Sequence, residues 1–161
     1  MMDGDASAPA RGPELQAVGC HCAALRQAAR RATGLYDGAM APFGIRVSQF
    51  GLLVRLRRSG PMSLQALAAD LVLDRTTLGR NLRALERDGY VASHADPGDR
   101  RVRRLVITEA GAALVRRAMP AWREAQAAFE QRYGAGPAAA LLEALNQVTV
   151  ALGPVEAPGP E

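Results

Sequence analysis

Lysine is absent from this chain, and all 20 basic side chains are arginine. Every cationic contact it makes therefore uses a planar guanidinium, which suits bidentate contact with phosphate or guanine. Cysteine is scarce. Cys20 and Cys22 are too few and too close together for a disulfide framework. The only histidines are His21 and His94. Zinc sites usually take four ligands, and His94 lies far from the Cys20-His21-Cys22 run, so no metal and no other cofactor is expected. Beyond that run no nucleophile, base or metal constellation appears, and an enzyme is not expected. No apolar run approaches the length of a membrane span and no signal-peptide core is present, so the expectation is a soluble cytoplasmic protein with no membrane partner. What remains is 161 residues, 48% of them hydrophobic, enough for the core of about one domain.

The most informative stretch runs from Ser63 to Thr108. Ser63 is a plausible N-cap for a short helix with Leu64, Leu67 and Leu71 on one face. Asp74 can cap a second helix whose Leu78, Leu82 and Leu85 form a core stripe, and Gly89 stands where a helix C-terminus favours glycine. Opposite those leucines lie Thr76, Arg80, Arg83 and Arg87, flanked by Arg75, Thr77 and Asn81. The segments Tyr90–His94 and Val102–Ile107 then read as two strands joined by a turn through Pro97-Gly98, with Arg100 and Arg101 at its tip.

Two short helices followed by a basic hairpin make a winged helix-turn-helix. Its second helix fits the major groove, where base edges present a full donor and acceptor code, and its wing reaches the backbone or minor groove. Charge is distributed accordingly. From Arg46 to Arg104 twelve arginines face six acidic residues, a local balance of +6 in a chain of net +4, which leaves −2 for the rest. Arginines on a helix often form only a solvated face, but cationic charge concentrated on one module is the electrostatic footprint of DNA binding.

The texts SLQALAADLVLDRTTLGRNLRALERDG (Ser63–Gly89) and DPGDRRVRRLVITEAG (Asp96–Gly111) resemble the MarR-type bacterial transcriptional regulators, and the resemblance spans roughly residues 14 to 152. It implies a homodimer with interleaved terminal helices, bound to double-stranded DNA. It also implies a small-molecule effector, often an aromatic or phenolic acid, in a pocket near the first, second and fifth helices. The Asp-Arg-Arg match suggests Arg101 as a minor-groove finger oriented by Asp99, with Arg100, Arg103 and Arg104 divided between phosphate and solvent. In the reading helix the expected DNA contacts are Arg75, Thr76, Thr77, Arg80, Asn81 and Arg83, and Arg80 is the foremost candidate for a base edge. One departure is Val72, which stands where relatives often carry glycine. A β-branched residue tolerates positive φ poorly, so this turn either avoids that conformation or holds strain.

The fold class expected is therefore mainly α: a winged helix-turn-helix with a short β-hairpin wing and long N- and C-terminal dimerisation helices. Residues 1–13 should be a disordered arm, 14–45 the N-terminal dimerisation helix, 46–108 the DNA-binding domain, 109–152 the C-terminal dimerisation helices and 153–161 a disordered tail. In the first helix Leu15, Val18, Cys22, Leu25, Ala29, Ala32, Tyr36 and Ala39 recur in steps of three and four. Pro42-Phe43-Gly44 breaks the run, and Phe50, Leu53, Val54 and Leu56 are core candidates of a helix over Ser48–Arg58. Thr108 can cap a long helix striped by Val115, Met119, Trp122, Gln126, Phe129 and Tyr133, with a bend expected near Pro120. After Gly134-Ala135-Gly136-Pro137, Leu141, Leu145, Val148 and Leu152 stripe a last helix.

A two-fold pair of reading helices would read a pseudopalindrome with half-sites about one helical turn apart, which a lone helix does not. Cys22 falls in the seam between Val18 and Leu25 and is expected to be a buried core residue. The alternative is an oxidant- or ligand-sensing thiol at Cys22 or Cys20 near a helix start. The rival from another class is a helical protein-interaction module that binds no DNA. It would keep the leucine stripes but has no use for Thr76, Arg80 or the Arg100-Arg101 tip.

Overall fold

The computed structural model describes residues 19–153. Leu15 and Val18, the proposed arm at 1–13 and the tail from 154 onward lie outside the described residues. The chain separates into two compact units, Met1–Gly34 and Leu35–Glu161, with the boundary inside the first helix. That helix, α1 (His21–Met40), begins just after Gly19, whose φ of 64° is left-handed and breaks a helix, so the expected run from Glu14 does not pass through this point. The Cys20 carbonyl accepts from the Ala24 N–H at 3.1 Å and opens the hydrogen-bond ladder. In this first half of α1, Cys22, Leu25 and Ala29 are exposed.

In the second unit α1 runs on to the buried Met40 and ends in a 3-10 turn, Ala41–Phe43, with Gly44 left-handed at φ 71°. Asp37 reaches across this break. Its carboxylate accepts from the Val47 N–H at 2.8 Å and so caps α2 (Val47–Ser59), while pairing with Arg46 at 3.3 Å. The buried face of α2 is Phe50, Leu52, Leu53 and Leu56, with Val54 only partly covered.

The helix-turn-helix follows. Ser63 caps α3 (Leu64–Asp70) by accepting from the Ala66 N–H at 3.1 Å, and Asp74 caps α4 (Arg75–Arg87) by accepting from the Thr77 N–H at 2.8 Å. Leu67, Leu78, Leu82 and Leu85 are fully or nearly fully buried in the common core, whereas Leu64 is left exposed. Gly89 is left-handed at φ 75° just past α4, and the Tyr90 N–H bonds back to the Leu85 carbonyl at 2.8 Å, which closes the helix end.

The wing strands are β2 (Val91–Ala95) and β3 (Arg103–Ile107), antiparallel, with Val91 opposite Ile107 and Ala95 opposite Arg103. A third strand, β1 (Met62–Ser63), pairs on the other side of β3, giving the order β1-β3-β2. Two residues after Pro61 are too short a run for any alternation to show, so the sequence carries no signal for β1.

Thr108 caps α5 (Glu109–Tyr133), accepting from the Gly111 N–H at 3.1 Å, and its hydroxyl donates to the Gly89 carbonyl at 2.7 Å. The cap therefore ties the start of α5 to the end of the reading helix. Gly111 makes that approach possible: a Cβ there would lie 2.2 Å from the Tyr90 carbonyl oxygen. α5 continues helical across Pro120 and buries Leu114, Val115, Ala118 and Ala125, with Met119 and Trp122 against the core. Tyr133, placed in the stripe by its spacing, is exposed. Only Gly134, at φ 94°, separates α5 from α6 (Ala135–Leu152), so Gly136 and Pro137 lie in the first turn of α6, where proline costs no hydrogen bond.

Candidate nucleic-acid interface

The buried stripe Leu78, Leu82 and Leu85 fixes how α4 faces the core, and the opposite face follows from helical geometry. Arg75, Thr76, Thr77, Arg80 and Arg83 are exposed there, and Asn81 is half-buried at its edge. Among the described residues Arg75, Arg80 and Arg83 have no ion-pair partner, while Arg87 is held by Asp88 at 2.9 Å. The first turn of α4 thus points the Arg75 guanidinium and the Thr76 hydroxyl outward, with no ion-pair partner for Arg75 among the described residues, while the Thr77 hydroxyl is bonded to the Asp74 carboxylate.

Asp96 organises the wing tip. Its Oδ1 accepts from the Gly98 N–H at 2.8 Å and the Asp99 N–H at 3.3 Å, and its Oδ2 pairs with the Arg104 guanidinium. The hydrogen bond from Arg104, with that from Gly98 second, holds the Asp96 carboxyl below its ordinary range. Backbone bonds from Asp96 N–H to Val102 O and from Val102 N–H to Asp99 O close the loop. Asp96 was legible in the sequence only as part of an Asp-Pro-Gly turn, and its hold on Arg104 was not. Arg104 is thus paired within the wing while its side chain stays 47% exposed.

Asp99 lies beside Arg101, accepting from its backbone N–H at 3.0 Å and pairing with its Nε at 3.5 Å. The Arg101 side chain is otherwise 95% exposed. Arg100 is exposed, and Arg103 folds back on β2, its guanidinium donating to the Ser93 hydroxyl and carbonyl at 2.9 Å each. The candidate wing residues therefore separate into Arg100, without an ion-pair partner among the described residues, Arg101, exposed but paired with Asp99, and Arg103, held against the sheet.

Where α1, α2 and α5 meet within the second unit, Trp122 lies 6.5 Å from the Tyr36 ring and 6.4 Å from Phe50, measured between centroids. The Tyr36 hydroxyl donates to Gln126 Oε1 at 2.5 Å, and Gln126 donates to Glu130 at 3.2 Å. Burial, and then the negative charge of Glu130, push the Tyr36 phenol above its ordinary range.

The expectation that Cys22 is a core residue is corrected here, because both Cys20 and Cys22 are exposed. Spacing selects the face of a helix that could be buried, but burial needs something to lie on that face, and within this chain Cys22 and Leu25 stay open. Among the described residues no group of His, Cys, Asp and Glu is placed to hold a metal ion, and no helix is long and apolar enough to cross a membrane.

A leucine-backed helix with an exposed cationic face, followed by a hairpin with two exposed arginines at its tip, defines a winged-helix DNA-binding protein. The sequence model of the MarR family matches residues 45–102. Over 124 residues the chain is 30% identical to the HTH-type transcriptional repressor NicR of Pseudomonas putida, covering 77% of this chain and 78% of NicR. The protein belongs to the MarR family of transcriptional regulators. Among solved structures it resembles the transcriptional regulator MosR of M. tuberculosis in complex with DNA, at 34% identity and a TM-score of 0.66 over 80% of this chain and 98% of MosR. BpsR of Bordetella bronchiseptica, solved in a study of DNA-binding regulation by 6-hydroxynicotinic acid, shares the fold at 22% identity and a TM-score of 0.73, over 80% of this chain and 92% of BpsR.

Proposed function

We propose that the protein is a homodimeric repressor that binds a pseudopalindromic operator and is released from it by a small aromatic or phenolic acid. The observation that carries the DNA-binding part is the exposed donor face of α4, Arg75, Thr76, Thr77, Arg80 and Arg83, with Asn81 at its edge. In this reading Arg80 contacts a base edge in the major groove and Arg101, steadied by Asp99, enters the minor groove, while Arg100 contacts phosphate. Arg103, already bonded to Ser93, stiffens the wing.

Support for the dimer comes from α6. It carries one charged residue, Glu143, in 18 positions and buries no side chain in its own chain. A helix that leaves Leu142, Leu145, Val148, Val150 and Leu152 exposed is stable in water only when that apolar surface is covered, and a second copy supplies that cover with its own terminal helices. Support for the effector comes from the aromatic cluster of Tyr36, Phe50 and Trp122, whose Tyr36–Gln126–Glu130 hydrogen bonds provide donors and acceptors at one edge of an apolar surface.

A second reading has the exposed thiols of Cys20 and Cys22 as the trigger in place of a ligand. A peroxide would oxidise one thiolate to the sulfenic acid and be reduced to water or the corresponding alcohol.

The deciding experiment selects bound sequences from a random duplex pool and titrates the winner at two salt concentrations. Sequence-selective, salt-sensitive binding is expected, and salt-sensitive binding without selectivity would remove the operator from the proposal. Aromatic acids and mild peroxide are then added to the complex of the unmodified protein, Cys20→Ser and Cys22→Ser. Release by acids in all three supports the effector reading, while release by peroxide that either variant abolishes establishes the thiol reading.

A further inference from the structure

The turn between α3 and α4 holds Val72 at φ 51°, the only non-glycine residue with positive φ among those described. A β-branched side chain is strained in this region. Val72 is 55% exposed, so its isopropyl group gains little burial in compensation. Backbone bonds close the turn, from the Val72 N–H to the Ala69 carbonyl at 3.3 Å and from the Leu73 N–H to the Ala68 carbonyl at 3.0 Å, and Leu71 and Leu73 pack on the core at either side.

One further tie acts here. Asp70, the last residue of α3, pairs with Arg55 of α2. Among the described residues this is the one ion pair that joins the helix-turn-helix to a helix outside it. It is a poor choice for stability alone. Arg55 is about two-thirds covered, its Nε is buried without a partner, and Asp70 places an anion at the carbonyl end of a helix, where the dipole repels it. An apolar pair of similar volume would avoid all three costs.

We infer that the Arg55–Asp70 pair is a clasp that holds the Val72 turn in its left-handed form and so sets the pitch at which α4 meets a base edge, making two residues that touch no DNA determinants of sequence discrimination. It rests on the DNA-reading role proposed above. A residue one turn into α4 is displaced by any change in the turn's dihedrals, and base-edge hydrogen bonds tolerate displacement far less than phosphate contacts do. Loss of the clasp therefore weakens binding to the preferred sequence and leaves binding to random duplex nearly unchanged. Glycine at position 72 adopts positive φ without strain, so a turn with glycine there no longer needs the clasp. Asp70 and Val72 are thus coupled through the backbone of Leu71.

The experiment is a double-mutant cycle in the full chain with Asp70→Asn, Val72→Gly and both together. Each protein is measured on the selected duplex and on random duplex, and the exchange rate of the Leu73 amide is followed without DNA. The expected result is a loss of about five- to tenfold on the selected duplex for Asp70→Asn, within the range of coupling through packed elements. The loss on random duplex should be under about twofold, and Val72→Gly should remove most of the specific loss. Leu73 exchange should quicken in Asp70→Asn and return towards the original rate in the double variant. The swapped pair Arg55→Asp with Asp70→Arg should recover part of the discrimination. Equal losses on both duplexes, an unchanged loss in the Val72→Gly background, or unaltered Leu73 exchange would each overturn the inference. If the unmodified protein prefers no sequence, the operator-reading role falls by itself, and Leu73 exchange alone then decides whether clasp and turn are coupled.

Discussion

Arg80 and Arg104 carry the same charge and meet different fates, because one has a carboxylate within reach and the other does not. Arg104 is held by Asp96, whereas Arg80 stands on an exposed helical face with no ion-pair partner among the described residues. Arg80→Ala is expected to cost about 1–3 kcal/mol on the preferred duplex and little on random DNA, as for a side chain that reads a base edge. Equal loss on both would make it a phosphate contact. Acid distinguishes two other residues. Asp96, through Arg104 first, and Asp74, through Thr77, both have carboxyls below their ordinary value of 3.8. A depressed folded value means that the contribution is fully present above the unfolded value and is lost as pH falls through the folded one. Exchange of the Gly98 and Thr77 amides should therefore be flat above about pH 5 once corrected for intrinsic rates, and should lose protection below about pH 4. In Asp96→Asn the Gly98 amide should lose protection already at neutral pH, and protection that stayed intact would show that the carboxylate does not organise the tip.

Three helices, α3, α4 and α5, begin where a side-chain acceptor stops the backbone, and Ser63, Asp74 and Thr108 each accept from an N–H three residues on. Thr108 does more than cap, since its hydroxyl reaches the Gly89 carbonyl and binds the start of α5 to the end of α4. Gly111 is required at that junction. Alanine there gains about 1 kcal/mol of helix propensity, but its Cβ would lie 2.2 Å from a backbone carbonyl and 2.9 Å from Ile107 Cγ1. Overpacking costs about 1–3 kcal/mol, and a backbone contact relieves less than a side-chain one. Gly111→Ala should thus lower the unfolding free energy in a urea titration by about 1–2 kcal/mol, and a gain in stability would mean that α5 can shift away without loss.

For the molecule as a whole the decisive feature is surface left uncovered. Leu142, Leu145, Val148, Val150 and Leu152 are all exposed on α6, three of them more than 60%. An interface of interleaved terminal helices falls in the obligate class, roughly 2,000 Å² or more, so folded monomer should be scarce at low micromolar concentration. Leu145→Glu with Val148→Glu should shift sedimentation towards monomer and weaken binding to a full palindrome more than to a single half-site. A compact monomer of the unmodified chain that still bound the full palindrome would sink the dimer.

What the sequence determined by itself is local. Leucine periodicity set the face of α4 that is buried and hence the face that carries Arg80, the caps set where α3, α4 and α5 begin, and Pro97-Gly98 set the hairpin, because each of these rests on interactions within a few residues. Tertiary structure decided the rest. It added β1, which exists only because β3 offers it a partner, and it sent Arg103 to Ser93 and Arg104 to Asp96 through cross-strand neighbours that no spacing encodes. It also left Cys22 exposed, since periodicity marks a face without providing what covers it. At Val72 the two levels meet. The residue type foretold that a left-handed turn there would be strained, and only the packing of its neighbours and the Arg55–Asp70 pair, joining residues 15 apart in the chain, could decide that the turn is left-handed nonetheless.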